Sequence, residues 1–217
     1  MRDTAGISRM KFLASLTFLV AVLSECACES GKAKKSTKPD QSEPAKVAHT
    51  FNLLGQSGPL VMVHGNEATL KLHDYRCWKT NYTGVHNRQL RIQMEYKPQR
   101  THEGLVNWMA KHFTILVEVT VSSSIATVYI FPYGTEQLPL PVSGNHRILY
   151  AEENCFVLRH QAPFAGCSVW APILMADQPP TGCTSVYRSM CLNSKDLDYR
   201  PWRGLCGFGD CKNCDPQ

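Results

Sequence analysis

A chain of 217 residues with 43% hydrophobic content is long enough for one domain with a real core and too apolar for a disordered protein. Ten cysteines point to an oxidising compartment rather than the cytosol. The formal net charge of +5 is too small to indicate nucleic acid as a partner.

The N-terminal stretch MRDTAGISRMKFLASLTFLVAVLSECACES places Arg2, Arg9 and Lys11 ahead of an apolar run from Phe12 to Leu23, followed by small residues. That is the layout of a secretory signal peptide over residues 1–28. The run of roughly a dozen apolar residues falls short of the roughly 20 that a bilayer span needs, and no later run is longer. No membrane span is expected, and the mature protein is expected to be secreted and extracellular. Cleavage after Ser24, Ala27 or Cys28 would fit, so Cys26 and Cys28 stay outside the cysteine framework. Without the leader, 20 basic groups face 16 acidic ones. Residues 29–50 open with ESGKAKKSTKPDQSEPAKVA, which holds almost no large apolar side chain and cannot offset the entropy of ordering. The segment reads as a flexible basic linker, and residues 51–217 as the folded domain.

From Phe51 the pattern alternates with the period of a strand whose two faces differ. In RQLRIQMEY, Leu90, Ile92, Met94 and Tyr96 share one face, and Arg91, Gln93 and Glu95 the other. In HFTILVEVTV, Ile115, Val117, Val119 and Val121 align, the serines at 122–124 supply a bend, and IATVYIF returns as the second arm of a hairpin. Further strands are read in PLVMVHG, ATLKLHDYRCWK, HRILYAEENCFVLRH and GCSVWAPIL. Seven strands in succession with few helical signals between them predict an antiparallel sheet that closes or doubles over. One late helix is predicted in PPTGCTSVYRSMC, where Cys183, Val186, Tyr187 and Met190 form a stripe behind two prolines. The tail YRPWRGLCGFGDCKNCDPQ must be pinned covalently to be ordered.

Eight cysteines remain after the leader: Cys77, Cys155, Cys167, Cys183, Cys191, Cys206, Cys211 and Cys214. An even set in a secreted chain reads as four disulfides, and spacing alone does not choose among the 105 pairings of eight cysteines. The C-x4-C-x2-C spacing at Cys206, Cys211 and Cys214 has half the look of a metal site, but no histidine stands beside it. None of the eight histidines forms an HxH or HExxH pair, so no metal is expected. Gly-x-Ser-x-Gly, a phosphate loop and a dinucleotide fingerprint are all missing from the sequence, which argues against an enzyme and against a cofactor. Glu152 and Glu153 are adjacent, and neighbouring strand residues face opposite ways, so they make no acid/base pair. Asn81-Tyr82-Thr83 fits the N-glycosylation signal, read here as lying in a turn beside TGVHN.

The signal peptide, the run of short strands, the late helix and the segments CFVLRH, GCSVWA and PPTGCTSVYRSMC resemble the tick salivary lipocalins, the group that includes the histamine-binding proteins. The resemblance covers Phe51 to Cys206 and is strongest from Tyr150 to Cys191. It implies a mainly β fold, an eight-stranded antiparallel lipocalin barrel with a C-terminal helix and a disulfide-pinned tail, the eighth strand coming from the 133–145 region or the tail. It also implies a monomer without cofactor or catalysis that serves immune evasion in tick saliva. The disulfides it implies are Cys77 with Cys206, Cys155 with Cys183, Cys167 with Cys191 and Cys211 with Cys214, with the helix held against the barrel mouth. In amine-binding members the first limb reads Cys-Asp-aliphatic and the second Glu-Leu-aromatic. Here the limbs read Cys155-Phe156-Val157 and Ser168-Val169-Trp170, so both acids are gone. The implied ligand is therefore a small hydrophobic or amphipathic mediator, such as a fatty acid, eicosanoid or sterol. Its expected contacts are Phe156, Trp170, Tyr150, Tyr129, Trp108 and Met94, with Arg159 or Arg91 for a ligand carboxylate. Two alternatives stand beside it: an inhibitor of a host plasma protein on the same scaffold, and an amine binder using Glu118, Glu136 or Asp74.

Overall fold

The computed structural model describes residues 41–66, 75–102, 105–135, 137–138, 142–160, 166–191, 196–198 and 206, and among them the elements below are formed. Of Tyr75, residues 99–102, 105–108 and 196–198 only the main chain is described. The expected signal peptide 1–28, the first part of the expected linker, Asp74, Glu136, Cys211 and Cys214 lie outside the described residues. Helix α1 (Glu43–Leu54) precedes strands β1 (Leu60–Asn66), β2 (Tyr75–His86), β3 (Gln89–His102), β4 (Leu105–Trp108), β5 (Lys111–Ser122), β6 (Ile125–Pro132), β7 (Gly144–Glu152), β8 (Cys155–His160) and β9 (Cys167–Pro172). A 3₁₀ turn (Ile173–Met175), helix α2 (Thr181–Cys191) and strand β10 (Asp196–Asp198) follow.

The antiparallel order β1-β2-β3-β5-β6-β7-β8-β9 returns to its start where β1 pairs with β9, Leu60 opposite Pro172 and Met62 opposite Trp170. Eight strands thus close a barrel, and closure removes the exposed edges an open sheet would present. Strand β4 extends β3, and β10 pairs with the end of β1, both outside the closed ring. Residues 146–160, read above as one strand, form two, because Glu153 and Asn154 make a turn between β7 and β8. That hairpin supplies the eighth strand, in place of the 133–145 region or the tail.

At one end of the barrel the strands are joined by tight turns. Asn87 and Arg88 carry φ of 49° and 68°, and Ser123 and Ser124 carry 50° and 62°. Both are left-handed pairs that match the twist of two antiparallel strands. Helix α1 closes this end. It starts behind Ser42 with Pro44 in its first turn and buries Lys46, Thr50, Leu53 and Leu54, a stripe at helical spacing. Glu43 Oε2 accepts from the Ala126 amide of β6 at 2.6 Å, and the Gln41 side chain bonds both the amide and the carbonyl of Ala151 in β7. Residues 43–50 of the segment read as a flexible linker are therefore helical and packed.

Two apolar clusters result. One fills the barrel: Leu60, Met62, Trp78, Leu90, Ile92, Met94, Ile115, Val128, Phe156, Leu158 and Trp170 with Leu53 and Leu54. The other lies outside the wall, where Val186 and Tyr187 of α2 cover Val61, Val63, Val157 and Val169. Disulfides fix both ends of α2: Cys183 to Cys155 of β8 with a Cα separation of 6.3 Å, and Cys191 to Cys167 of β9 at 5.9 Å. The third joins Cys77 to Cys206 at 4.9 Å. These three pairs are the ones the resemblance implied, but the helix rides on the outer wall rather than at the barrel mouth. A bulge in β2, where Cys77 takes φ of 60°, sends Cys77 outward to its disulfide and Trp78 inward onto Tyr96, 4.8 Å between rings.

Candidate functional site

The inward phases of six barrel strands converge, with α1, on a cavity whose empty space, counting the solvent at its open side, is about 340 Å³. Its wall is Leu54 from α1, Thr80 from β2, Ile92 and Met94 from β3, Ile115 and Val117 from β5, Val128 and Ile130 from β6, Phe156 and Leu158 from β8, and Trp170 from β9. Phe156 and Trp170 are cross-strand partners stacked at 6.4 Å with a 14° interplanar angle. Trp78, Tyr96 and Phe113 make a second aromatic group in the same interior, Phe113 meeting both partners edge-on.

Of the residues expected to meet a ligand, Met94, Phe156 and Trp170 line the cavity, and Tyr150, Tyr129 and Arg159 do not. A bulge after Ile148 turns Leu149 and Tyr150 both outward, so the inward phase resumes at Ala151. The Tyr150 hydroxyl instead donates to Glu152 at 3.1 Å, and burial followed by the charge of Glu152 holds the phenol above its usual pKa. Tyr129 sits between inward Val128 and Ile130 and stacks on Phe131 on the outer face. Arg159 faces outward between Leu158 and His160, and its Nη2 donates to the Met190 carbonyl at 2.8 Å, at the C-terminal end of α2. Arg91 is likewise outside, bonded to Thr83. The side chain of Trp108 lies outside the described residues. Glu118 is exposed on the outer face of β5 opposite Tyr129, which removes it as an interior amine anchor. Among the described residues no carboxylate side chain is buried. The Asn81 signal lies within β2, opposite Gln93, rather than in a turn, and Asn81 and Thr83 occupy the phase opposite to inward Thr80.

The strands also assemble a polar group that the sequence did not announce. His146 of β7 and His160 of β8 are directly paired, their rings 4.6 Å apart and edge to face. Ser168, fully buried, lies 3.0 Å from His160 Nε2 and accepts the Trp170 indole N–H at 2.9 Å. The indole donor is thereby engaged within the protein. His146 Nε2 donates to the Val142 carbonyl at 2.8 Å. Burial depresses the His146 pKa below its ordinary 6.5, with the Val142 bond opposing, so the ring is neutral. The one grouping of metal-type ligands among the described residues, Glu152 with Cys155 and Cys183, has both sulfurs committed to a disulfide.

A family model described as tick histamine binding protein matches residues 42–207, which includes α1, the whole barrel, α2 and the Cys77–Cys206 bridge. The chain belongs to the tick histamine-binding protein family. Among solved structures, japanin from Rhipicephalus appendiculatus bound to cholesterol matches with a TM-score of 0.55 and 13% identity, over 67% of this chain and 93% of that one, a likeness of fold. A search of the curated proteins gives no match. The two positions at which the resemblance implies acids in amine-binding members hold Phe156, in the cavity wall, and Ser168, which accepts from the Trp170 indole. Among the described residues no helix is long and apolar enough to cross a membrane.

Proposed function

We propose that this protein is a secreted lipocalin that sequesters a small apolar or amphipathic host mediator and performs no chemistry. The observation that carries the proposal is the cavity wall itself. Eleven side chains line it and none of them is charged; by the family resemblance, Phe156 takes a position that holds an acid in amine binders. An ammonium buried there would be uncompensated, and leaving one member of a buried ion pair alone costs about 3–5 kcal/mol. An apolar tail gains about 25 cal/mol for each Å² it removes from water against such a wall. On this reading the leader of residues 1–28 directs secretion, and Asn81 carries a glycan on the outer wall.

Displacement of a cavity-bound apolar fluorophore tests the proposal. Fatty acids, eicosanoids or sterols are expected to displace it at micromolar concentration or below, with histamine and serotonin inert. Displacement by an amine alone would refute it. Trp170→Ala is expected to weaken the apolar ligand at least tenfold, the equivalent of about 1.4 kcal/mol.

A further inference from the structure

We infer that the glycan on Asn81 packs across the outer wall of the barrel onto an aromatic platform made by Tyr129, Phe131 and Tyr133. The inference rests on the reading of Asn81 as glycosylated and deepens it by naming the surface that receives the sugar. Strand register places sequon and platform on one wall. Asn81 of β2 is opposite Gln93 of β3, and Gln93 is opposite Thr114 of β5. The Tyr133 amide donates to the Thr114 carbonyl at 3.1 Å and carries this row just past the end of β6. The neighbouring row pairs Leu116 of β5 with Phe131 of β6. Two strand spacings of about 4.8 Å put Thr114 about 10 Å from Asn81. The Tyr133 ring then leans back and meets His86, the last residue of β2, edge-on at 5.4 Å, so the platform reaches toward the strand that carries Asn81.

Helix α2 covers part of the outer wall over β1, β8 and β9, whereas Phe131 stays 39% and Tyr133 37% exposed. Tyr129 and Phe131 stack at 6.3 Å within 6° of parallel on that bare wall. Aromatic rings left in water gain from a cover. A sugar ring presents C–H groups on its face and hydroxyls on its rim. Its face suits the negative face of an aromatic ring. Its hydroxyls suit the amide of Gln93 and the hydroxyl of Thr114, which lie between Asn81 and the rings. Gln93, Thr114 and Leu116 carry no charge, as the core sugars of an N-glycan carry none.

The test uses the full chain produced in eukaryotic cells, before and after enzymatic removal of N-glycans, with peptide mass mapping to report occupancy of Asn81. Hydroxyl-radical footprinting reads the exposure of Tyr129, Phe131 and Tyr133, with exposed Phe51 on α1 as the control. The three rings are expected to be labelled more slowly in the glycosylated protein, and this protection is expected to be lost on glycan removal while Phe51 is unchanged. The thermal midpoint is expected to fall by about 2–4 °C on removal, the scale of one modest contact in a domain of this size. Phe131→Thr combined with Tyr133→Thr, which keeps strand-forming residues at these partly exposed positions, is expected to abolish that shift. An occupied Asn81 with labelling of the rings unchanged by glycan removal would overturn the platform and leave the glycosylation reading standing. So would protection of Leu174 and Met175 in place of the rings, on the flank where Ile173 bonds Pro59. Protection that ignores the glycan and grows with protein concentration would assign the platform to a second copy of the chain and overturn the inference. An Asn81 without glycan would overturn both.

Discussion

Asn66 ties three elements together with one side chain. Its Nδ2 donates to the Cys191 carbonyl at the end of α2, and its Oδ1 accepts from the Cys167 amide at the start of β9, both within the buried shell. Asn66→Leu leaves a carbonyl and an amide unsatisfied, at about 1–3 kcal/mol each. A loss of roughly 2–4 kcal/mol is expected in chemical denaturation with the disulfides intact; a change below about 0.5 kcal/mol would show that these bonds are replaced by others. His146 sets a pH dependence. The unfolded ring binds a proton at its ordinary pKa of 6.5, whereas the buried ring resists it. Stability from this group is therefore present above pH 6.5 and is lost as the pH falls below it. Denaturation midpoints measured downward from neutral pH should fall, and His146→Phe should flatten part of that slope. The sequence showed His146 and His160 as isolated residues, because their meeting depends on the β7–β8 register, which no local pattern encodes.

Helix α1 is the element the sequence hid. Its buried stripe runs Lys46, Thr50, Leu53, Leu54, so the first two turns look solvated by composition and the apolar face appears only at the end. The readable sign was the Ser42-Glu43-Pro44 start, a cap position followed by an acid and a first-turn proline. Leu53→Ala removes a side chain that is 1% exposed at the closed end of the barrel, and a loss of about 2–5 kcal/mol is expected in thermal or denaturant unfolding. An unchanged midpoint would mean that α1 does not seal the barrel. The β7–β8 hairpin was concealed for a different reason: its Glu153-Asn154 turn lacks glycine and proline, so two strands read as one. Helix α2 was legible because its stripe is apolar throughout and its cysteines stand at both ends. Its placement on the outer wall was not, since a disulfide to β8 or β9 fits either face of the sheet until the register is known.

An antiparallel sheet that closes or doubles over followed from alternation repeated along the chain, a signal that survives errors at single strands, and the closed barrel followed from the family resemblance. What occupies its interior did not follow, since bulges in β2 and β7 shift the phase and reassign residues such as Tyr150 from inside to outside. The consequence is an interior lined by aliphatic and aromatic groups, with one neutral polar group and without a buried carboxylate among the described residues. Native mass spectrometry of the protein produced in eukaryotic cells, followed by titration with histamine, serotonin, fatty acids, eicosanoids and sterols, tests that interior most directly. The account predicts a neutral or anionic lipid, co-purified or taken up at one molecule per chain, and no amine adduct. Stoichiometric uptake of histamine or serotonin with no lipid bound would contradict it.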